Sequence, residues 1–257
     1  MVYASVMSER VLRLVMSNIL KNKRLICFDL DGTLLDSVGI WNQIDAELIV
    51  QLTGITVAED EILNFREHCL TLYTHYANPY LAYCECLKDK YQLELSSKEI
   101  KQQRYEISHR YLAEHVTLKP NAAQVIHALK DKGFLLALCT STSIRNLQRY
   151  QQYNTHIQQQ LNFEKAFDLI VTRENVQQIK PEPDIYLKAL EHFSLPPQQC
   201  LVVEDAWVGV QAARAAEIDV IAIQDRYAET ELEQIQAVSQ LYLESFKDFL
   251  HLIAVLD

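Results

Sequence analysis

Three short apolar runs in this chain each stop at a cluster of polar residues, and that pattern narrows the fold more than any other feature. Leu25-Ile26-Cys27-Phe28 runs into Asp29-Leu30-Asp31-Gly32-Thr33. Phe134 to Cys139 runs into Thr140-Ser141-Thr142-Ser143, and Cys200-Leu201-Val202-Val203 into Glu204-Asp205. Leu169-Ile170-Val171 and Val220 to Ile223 are weaker runs of the same kind. Short, continuously apolar strands separated by helical stretches are what a parallel sheet covered on both faces requires. Ligands of such sheets sit beyond the carboxyl ends of the strands. The polar clusters fall there, so the sequence predicts an α/β fold, a Rossmann-like parallel sheet, with its site at one sheet edge.

Between the first and second strands, residues 38–116 contain no strand-like run. Ile44, Leu48, Ile49 and Leu52 keep helical spacing. Thr56-Val57-Ala58-Glu59 and Ser96-Ser97-Lys98-Glu99 have the form of capping boxes. This segment reads as an inserted helical domain of about four helices. The core is then 24–37 with 117–257, and residues 1–23 form a helical extension around the amphipathic run Val11 to Met16. Beyond Ile223 a short helix, an edge strand at Leu241-Tyr242-Leu243 and a last helix from Ser245 are expected. The Gln-rich stretch from Gln148 to Gln160 reads as a solvated helix or loop. Within the insertion, Arg66, His68, His75 and Lys88 read as solvated or internally satisfied, and the Tyr-rich stretch Tyr73 to Tyr91 as core and surface.

Composition excludes several partners. With 24 Lys and Arg against 34 Asp and Glu the net charge is −10, and no basic stripe exists to displace counterions from nucleic acid. No stretch approaches the ~20 apolar residues of a membrane span. Cys27, Cys139 and Cys200 lie in apolar runs, where a free thiol behaves as a small hydrophobe, and Cys84 and Cys86 lack C-x-x-C spacing. A reduced cytoplasmic protein, monomeric and without nucleic-acid or membrane partners, is the expectation. Only five of the 257 residues are glycine, so each is expected to stand where a side chain does not fit. Gly32 follows the two aspartates, and Gly209 is placed at a loop-to-helix turn after Glu204-Asp205.

The chemistry follows from the strand ends. Asp29 and Asp31, two apart, are expected on one face of the first strand, and Glu204 and Asp205 add negative charge from another. Carboxylates forced together repel unless one is protonated or a cation lies between them. Three or four acids at one edge suit a hard divalent cation such as Mg²⁺, whose shell is completed by water and phosphate oxygens. Thr140 offers a hydroxyl at a strand-to-helix junction that favours an anion, and Ser141 offers its backbone. Lys180, in Ile179-Lys180-Pro181-Glu182-Pro183-Asp184, supplies a positive charge from a proline-stiffened loop. A carboxylate nucleophile, a neighbouring acid, a metal and a lysine make a phosphoryl-transfer site working through an aspartyl-phosphate. Asp184 reads as either a helix N-terminal charge or a support for the metal loop.

Asp29-Leu30-Asp31-Gly32-Thr33-Leu34-Leu35-Asp36-Ser37 resembles the first motif of the haloacid dehalogenase superfamily of phosphotransferases. Thr140, Lys180 to Asp184 and Glu204-Asp205 resemble its second, third and fourth motifs, in order. The insertion matches the cap of phosphoglycolate phosphatase-like and β-phosphoglucomutase-like members. The resemblance implies Asp29 as nucleophile and Mg²⁺ ligand, and Asp31 as general acid then base, with its carbonyl on the metal. It implies Thr140, Ser141 and Lys180 on the phosphate, and Asp205 with Glu204 as further metal ligands. Three departures stand out: Ala206-Trp207 where Ser is frequent, Ala216-Glu217 where Ala-Gly is usual, and Pro120-Asn121 in place of Pro-Gly. Trp207 is expected to pack against the loop of Lys180. The expected function is a Mg²⁺-dependent phosphatase of a small phosphorylated metabolite. A sugar phosphomutase is the alternative, and a non-catalytic regulator on the same fold ranks third.

Overall fold

The computed structural model describes residues 14, 18–73 and 79–254. The predicted amphipathic run at Val11 to Met16 lies outside these residues apart from Leu14. Contacts divide the chain into two compact units, Met1–Asp36 with Thr117–Asp257, and Ser37–Val116. In the first unit six strands form a parallel sheet: β1 (Leu25–Phe28), β4 (Leu135–Cys139), β5 (Leu169–Val171), β6 (Cys200–Glu204), β7 (Asp219–Ile223) and β8 (Leu241–Leu243). Their spatial order is β5-β4-β1-β6-β7-β8. β1 is central, with Leu25 in register with Leu135 on one side and Cys200 on the other. A short antiparallel ribbon pairs β2 (Leu35–Asp36) with β3 (Thr117–Leu118).

The order explains why the central strands read as unbroken apolar runs. β1 and β6 are buried at every position, so both faces select apolar residues until Glu204 at the end of β6. On one face Cys27, Ala137, Cys139, Cys200, Val202 and Ala222 pack with Ile185, Tyr186 and Ala189 of the helix Asp184–Phe193 and with Val210 and Ala213 of the helix Trp207–Ala215. Small sheet residues leave room for those two helices to lie close. All six cysteines are free. Cys27 Sγ lies 3.6 Å from Cys200 Sγ, and its bonds with Cys139 and Cys200, added to burial, push its thiol well up. The last helix, Phe246–Ile253, is capped by the Ser245 hydroxyl and buries Phe246, Phe249, Leu252 and Ile253.

The second unit contains α1 (Ile40–Thr53), α2 (Glu59–Leu72), α3 (Pro79–Tyr91) and α4 (Ser97–Glu114). Ser96 and Glu99 form the reciprocal capping box that opens α4. The box expected at Thr56 does not form: α2 begins at Glu59 with Ala58 at its cap and no side-chain cap bond. Three acids in its first turn, Glu59, Asp60 and Glu61, face the helix N-terminus instead. Inside the bundle Asp45 has no exposed surface and is held by two arginines. Arg104 donates Nε to Oδ1 at 2.5 Å and Nη2 to Oδ2 at 3.2 Å, and Arg66 donates Nη1 to Oδ2 at 3.3 Å. The Arg104 guanidinium also lies 4.8 Å from the Trp41 ring centroid, a cation–π arrangement. Arg66 is therefore internally satisfied, while His68 is exposed and Lys88 is half-buried beside Glu85; His75 is outside the described residues.

Candidate functional site

The site is assembled where β1, β4 and β6 end. Asp29 follows β1 and is fixed by its backbone N–H, which donates to the Val203 carbonyl at 3.1 Å. Its carboxylate oxygen Oδ1 accepts from Lys180 Nζ at 2.5 Å, and the same ammonium donates to Glu204 Oε1 at 2.6 Å. Lys180 is carried by the loop before the helix Asp184–Phe193. Asp184 Oδ2 accepts from the Gln178 N–H at 3.1 Å, closing that loop on itself. Asp184 thus acts on the loop of Lys180 rather than on the acids.

Glu204 is more fully bonded than its neighbours. Oε1 also accepts from the Tyr186 hydroxyl at 2.9 Å, and Oε2 from the backbone N–H groups of Asp205 and Ala206. Gly209 makes this arrangement possible. It stands within the first turn of the helix Trp207–Ala215 rather than in a turn before it, and a Cβ there would lie 1.7 Å from Glu204 Oε1. No residue but glycine leaves that carboxylate its place. Asp205 is oriented by the Thr33 hydroxyl, which donates to Oδ1 at 2.6 Å. Trp207, by contrast, packs half-buried against the sheet core, with its backbone N–H donating to the Glu231 carboxylate.

Asp29, Glu204 and Asp205 bring one oxygen each to within 4.8 Å of one another, all three buried. Burial raises the Asp29 carboxyl to about 7 against the opposing pull of Lys180, with the Glu204 charge adding to the rise. Burial and the charges of Glu204 and Asp29 push Asp205 well up too. Burial disfavours the Lys180 ammonium, but Asp29 and Glu204 outweigh it and hold the lysine charged. Three carboxylates against one ammonium fit a divalent cation: the oxygens converge, two of the acids resist ionising, and oxygen donors suit Mg²⁺.

Asp31 does not join this cluster. Its charge still reaches Asp29 and adds to the rise of that carboxyl, but its oxygens are held by other donors. The Asp31 carboxylate instead accepts from the Thr142 hydroxyl at Oδ2 and from the Tyr150 hydroxyl at Oδ1, the latter at 2.9 Å. Thr140 is buried beyond β4, its N–H bonded to Val171 and its Oγ1 accepting from the Thr142 N–H at 3.0 Å. The Ser141 hydroxyl is buried with no hydrogen-bond partner among the described residues. Ser143, not Ser141 or Thr142, caps the helix Ile144–Tyr153. The sequence reading missed Tyr150, Tyr186, Thr33 and the side-chain use of Thr142, since each is tied to its partner only by the fold.

The pattern of the haloacid dehalogenase-like hydrolase family matches residues 26–223. The chain is 29% identical over 197 residues to the phosphorylated carbohydrates phosphatase of Thermotoga maritima, covering 76% of this chain and 82% of that one. It is 28% identical over 198 residues to hexitol phosphatase A of Escherichia coli, covering 76% and 81%. Among solved structures it resembles CbbY from Rhodobacter sphaeroides, of which a variant is known with xylulose-1,5-bisphosphate. That match has a TM-score of 0.66 at 25% identity, over 87% of this chain and 95% of that one.

Proposed function

The chain belongs to the haloacid dehalogenase-like hydrolase family and is a phosphoric monoester hydrolase, and we propose that it removes phosphate from a small phosphorylated sugar-like metabolite. The observation carrying this reading is the Asp29 carboxylate, clamped at one oxygen by Lys180 beside two further buried acids. In the proposed reaction an Asp29 oxygen attacks phosphorus as the bond to the leaving oxygen breaks. Asp31, protonated, gives its proton to that oxygen, releasing an alcohol and leaving an aspartyl-phosphate. Water then attacks the phosphorus, Asp31 takes its proton, the bond to Asp29 breaks, and inorganic phosphate leaves.

Lys180 holds Asp29 in line and offers positive charge to the phosphoryl oxygens. The hydroxyl proton of Thr140 and the unpartnered Ser141 hydroxyl are suited to donate to the same oxygens. Asp29, Asp205 and Glu204, with the Asp31 carbonyl, would hold Mg²⁺. Bound there, the ion neutralises the carboxylates and the charge on the phosphoryl group. The sugar-like substrate class is supported by the relatives named for phosphorylated carbohydrates and hexitols. No helix among the described residues is long and apolar enough to cross a membrane.

Phosphate release from a panel of sugar and polyol phosphates, with Mg²⁺ and with chelator, tests the proposal. Turnover is expected only with Mg²⁺, and Asp29→Asn is expected to lose at least ~10⁴-fold while folding normally. Undiminished release by that variant removes Asp29 from the chemistry. Conversion of glucose 1-phosphate to glucose 6-phosphate faster than phosphate release would assign a phosphomutase instead.

A further inference from the structure

We propose that Tyr150 and Thr142 are positioning residues for Asp31, setting the aim of its carboxylate for proton transfer to the leaving group. The inference rests on the reading of Asp31 as general acid and deepens it. The two aspartates have different partners: Asp29 is fixed by Lys180, whereas Asp31 is half-buried and held by a different set of donors. Each Asp31 oxygen receives one hydroxyl, Oδ1 from Tyr150 and Oδ2 from Thr142. Two donors at separate oxygens fix both side-chain torsions, where one would leave the carboxylate free to turn about it.

Both donors are themselves held. The Thr142 N–H is tied to Thr140 Oγ1, and Ser143 caps the helix that follows. Tyr150 lies two turns along that helix with its ring buried at 1% exposure, beside buried Leu147. A buried tyrosine hydroxyl requires a polar partner, and here a carboxylate 119 positions earlier in sequence meets it. Proton transfer depends on heavy-atom geometry, and misplacement of about 1 Å can cost ~10²-fold.

Aryl phosphates of equal size and different leaving-group basicity separate aim from mere packing. A 4-nitrophenolate departs without a proton, whereas a phenolate gains from one. kcat/KM covers the steps up to departure, so it isolates the acid role from the later base role. Tyr150→Phe keeps the ring and removes only the hydroxyl. It is expected to lower kcat/KM about tenfold on phenyl phosphate and less than about threefold on 4-nitrophenyl phosphate. Thr142→Val should show the same bias and Thr142→Ser should restore the wild-type ratio. The double variant should approach the leaving-group dependence of Asp31→Asn. Equal losses on both esters in the Tyr150→Phe and Thr142→Val enzymes would overturn the positioning role. If Asp31→Asn itself shows no bias toward phenyl phosphate, the acid assignment fails instead, and the two failures are told apart.

Discussion

Each unit of the molecule buries a cluster of charges, and the two clusters are unbalanced in opposite directions. In the sheet unit, among the described residues, Asp29, Glu204 and Asp205 have one ammonium bonded among them, Lys180, with the charge of Lys119 also acting on Asp205. In the helical unit a single carboxylate, Asp45, faces two guanidinium groups. Asp45 has both oxygens bonded, and its partner Arg104 rests on an aromatic ring. Asp29 and Asp205 are instead pushed toward their neutral forms. The helical cluster is complete as it stands and joins α1, α2 and α4; the sheet cluster keeps two acids that resist ionising, which the proposed cation would relieve. Burying charge thus serves cohesion in one unit and chemistry in the other.

The same substitution, Asp→Asn, should therefore act with opposite sign in the two places. Asp45→Asn leaves two buried guanidinium groups without their anion and should destabilise the chain by about 3–5 kcal/mol. The shift in urea midpoint measures this, and a loss below about 1 kcal/mol would mean that the arginines find water or another partner. In the sheet cluster the tightest constraint is steric. Gly209→Ala puts a methyl where the Glu204 carboxylate sits, which should cost about 1–3 kcal/mol. Because Glu204 steadies Lys180, the variant should also lose activity with Mg²⁺ saturating; normal activity would show that Glu204 can move without releasing the lysine.

The strands and the acids beyond them were legible because a parallel strand buried on both faces leaves an unbroken apolar signature that stops where the chain reaches the sheet edge. Asp29, Glu204 and Asp205 stand at such stops. Lys180 and Thr140 were legible from their surroundings in the chain. Tyr150 was not: it lies in a Gln-rich stretch whose polarity signals solvent, and one buried face of a helix is outweighed there by its exposed glutamines. Asp45, Arg66 and Arg104 are 21 and 59 positions apart in their pairings, so no local pattern links them. The Thr56 capping box failed because its motif describes only the local chain, and α2 starts three residues later. The two aspartates were read from their spacing; that the Asp31 oxygens go to Thr142 and Tyr150 was not, because those partners lie 111 and 119 positions away.

Asp29→Asn sharpens the contrast through pH. The Asp29 carboxyl, at about 7 in the folded chain, titrates near 4 when unfolded. Between those values the folded chain holds a proton that the unfolded chain has lost, so metal-free stability falls as pH rises through that window and stays low above it. Asparagine carries no such proton. Without metal, the variant should match the wild type near pH 4 and exceed it at pH 8, by no more than ~1.4 kcal/mol for each unit between the two titrations. Saturating Mg²⁺ should close the gap by stabilising the wild type alone. An asparagine variant less stable than wild type at pH 8 would mean that the Lys180 ion pair outweighs the burial of the acid.

The smallest effect supplies the baseline for all of these charge changes. Glu217 is exposed and lies outside both clusters, at φ +61°, a left-handed backbone that costs a residue with a Cβ about 1–2 kcal/mol. Part of that cost returns when glycine is introduced, because glycine loses more freedom on folding. Glu217→Gly should thus stabilise by about 0.5–1 kcal/mol. Asn121, at φ +67°, is of a type that tolerates this region, so Asn121→Gly should gain less. Glu217→Gln removes the same negative charge but keeps the Cβ, and it should leave stability unchanged. Gains of equal size in the glycine and glutamine variants would trace the effect to charge. In that case part of the stability predicted for Asp29→Asn would also come from lowering the net charge of −10 rather than from relief within the sheet cluster.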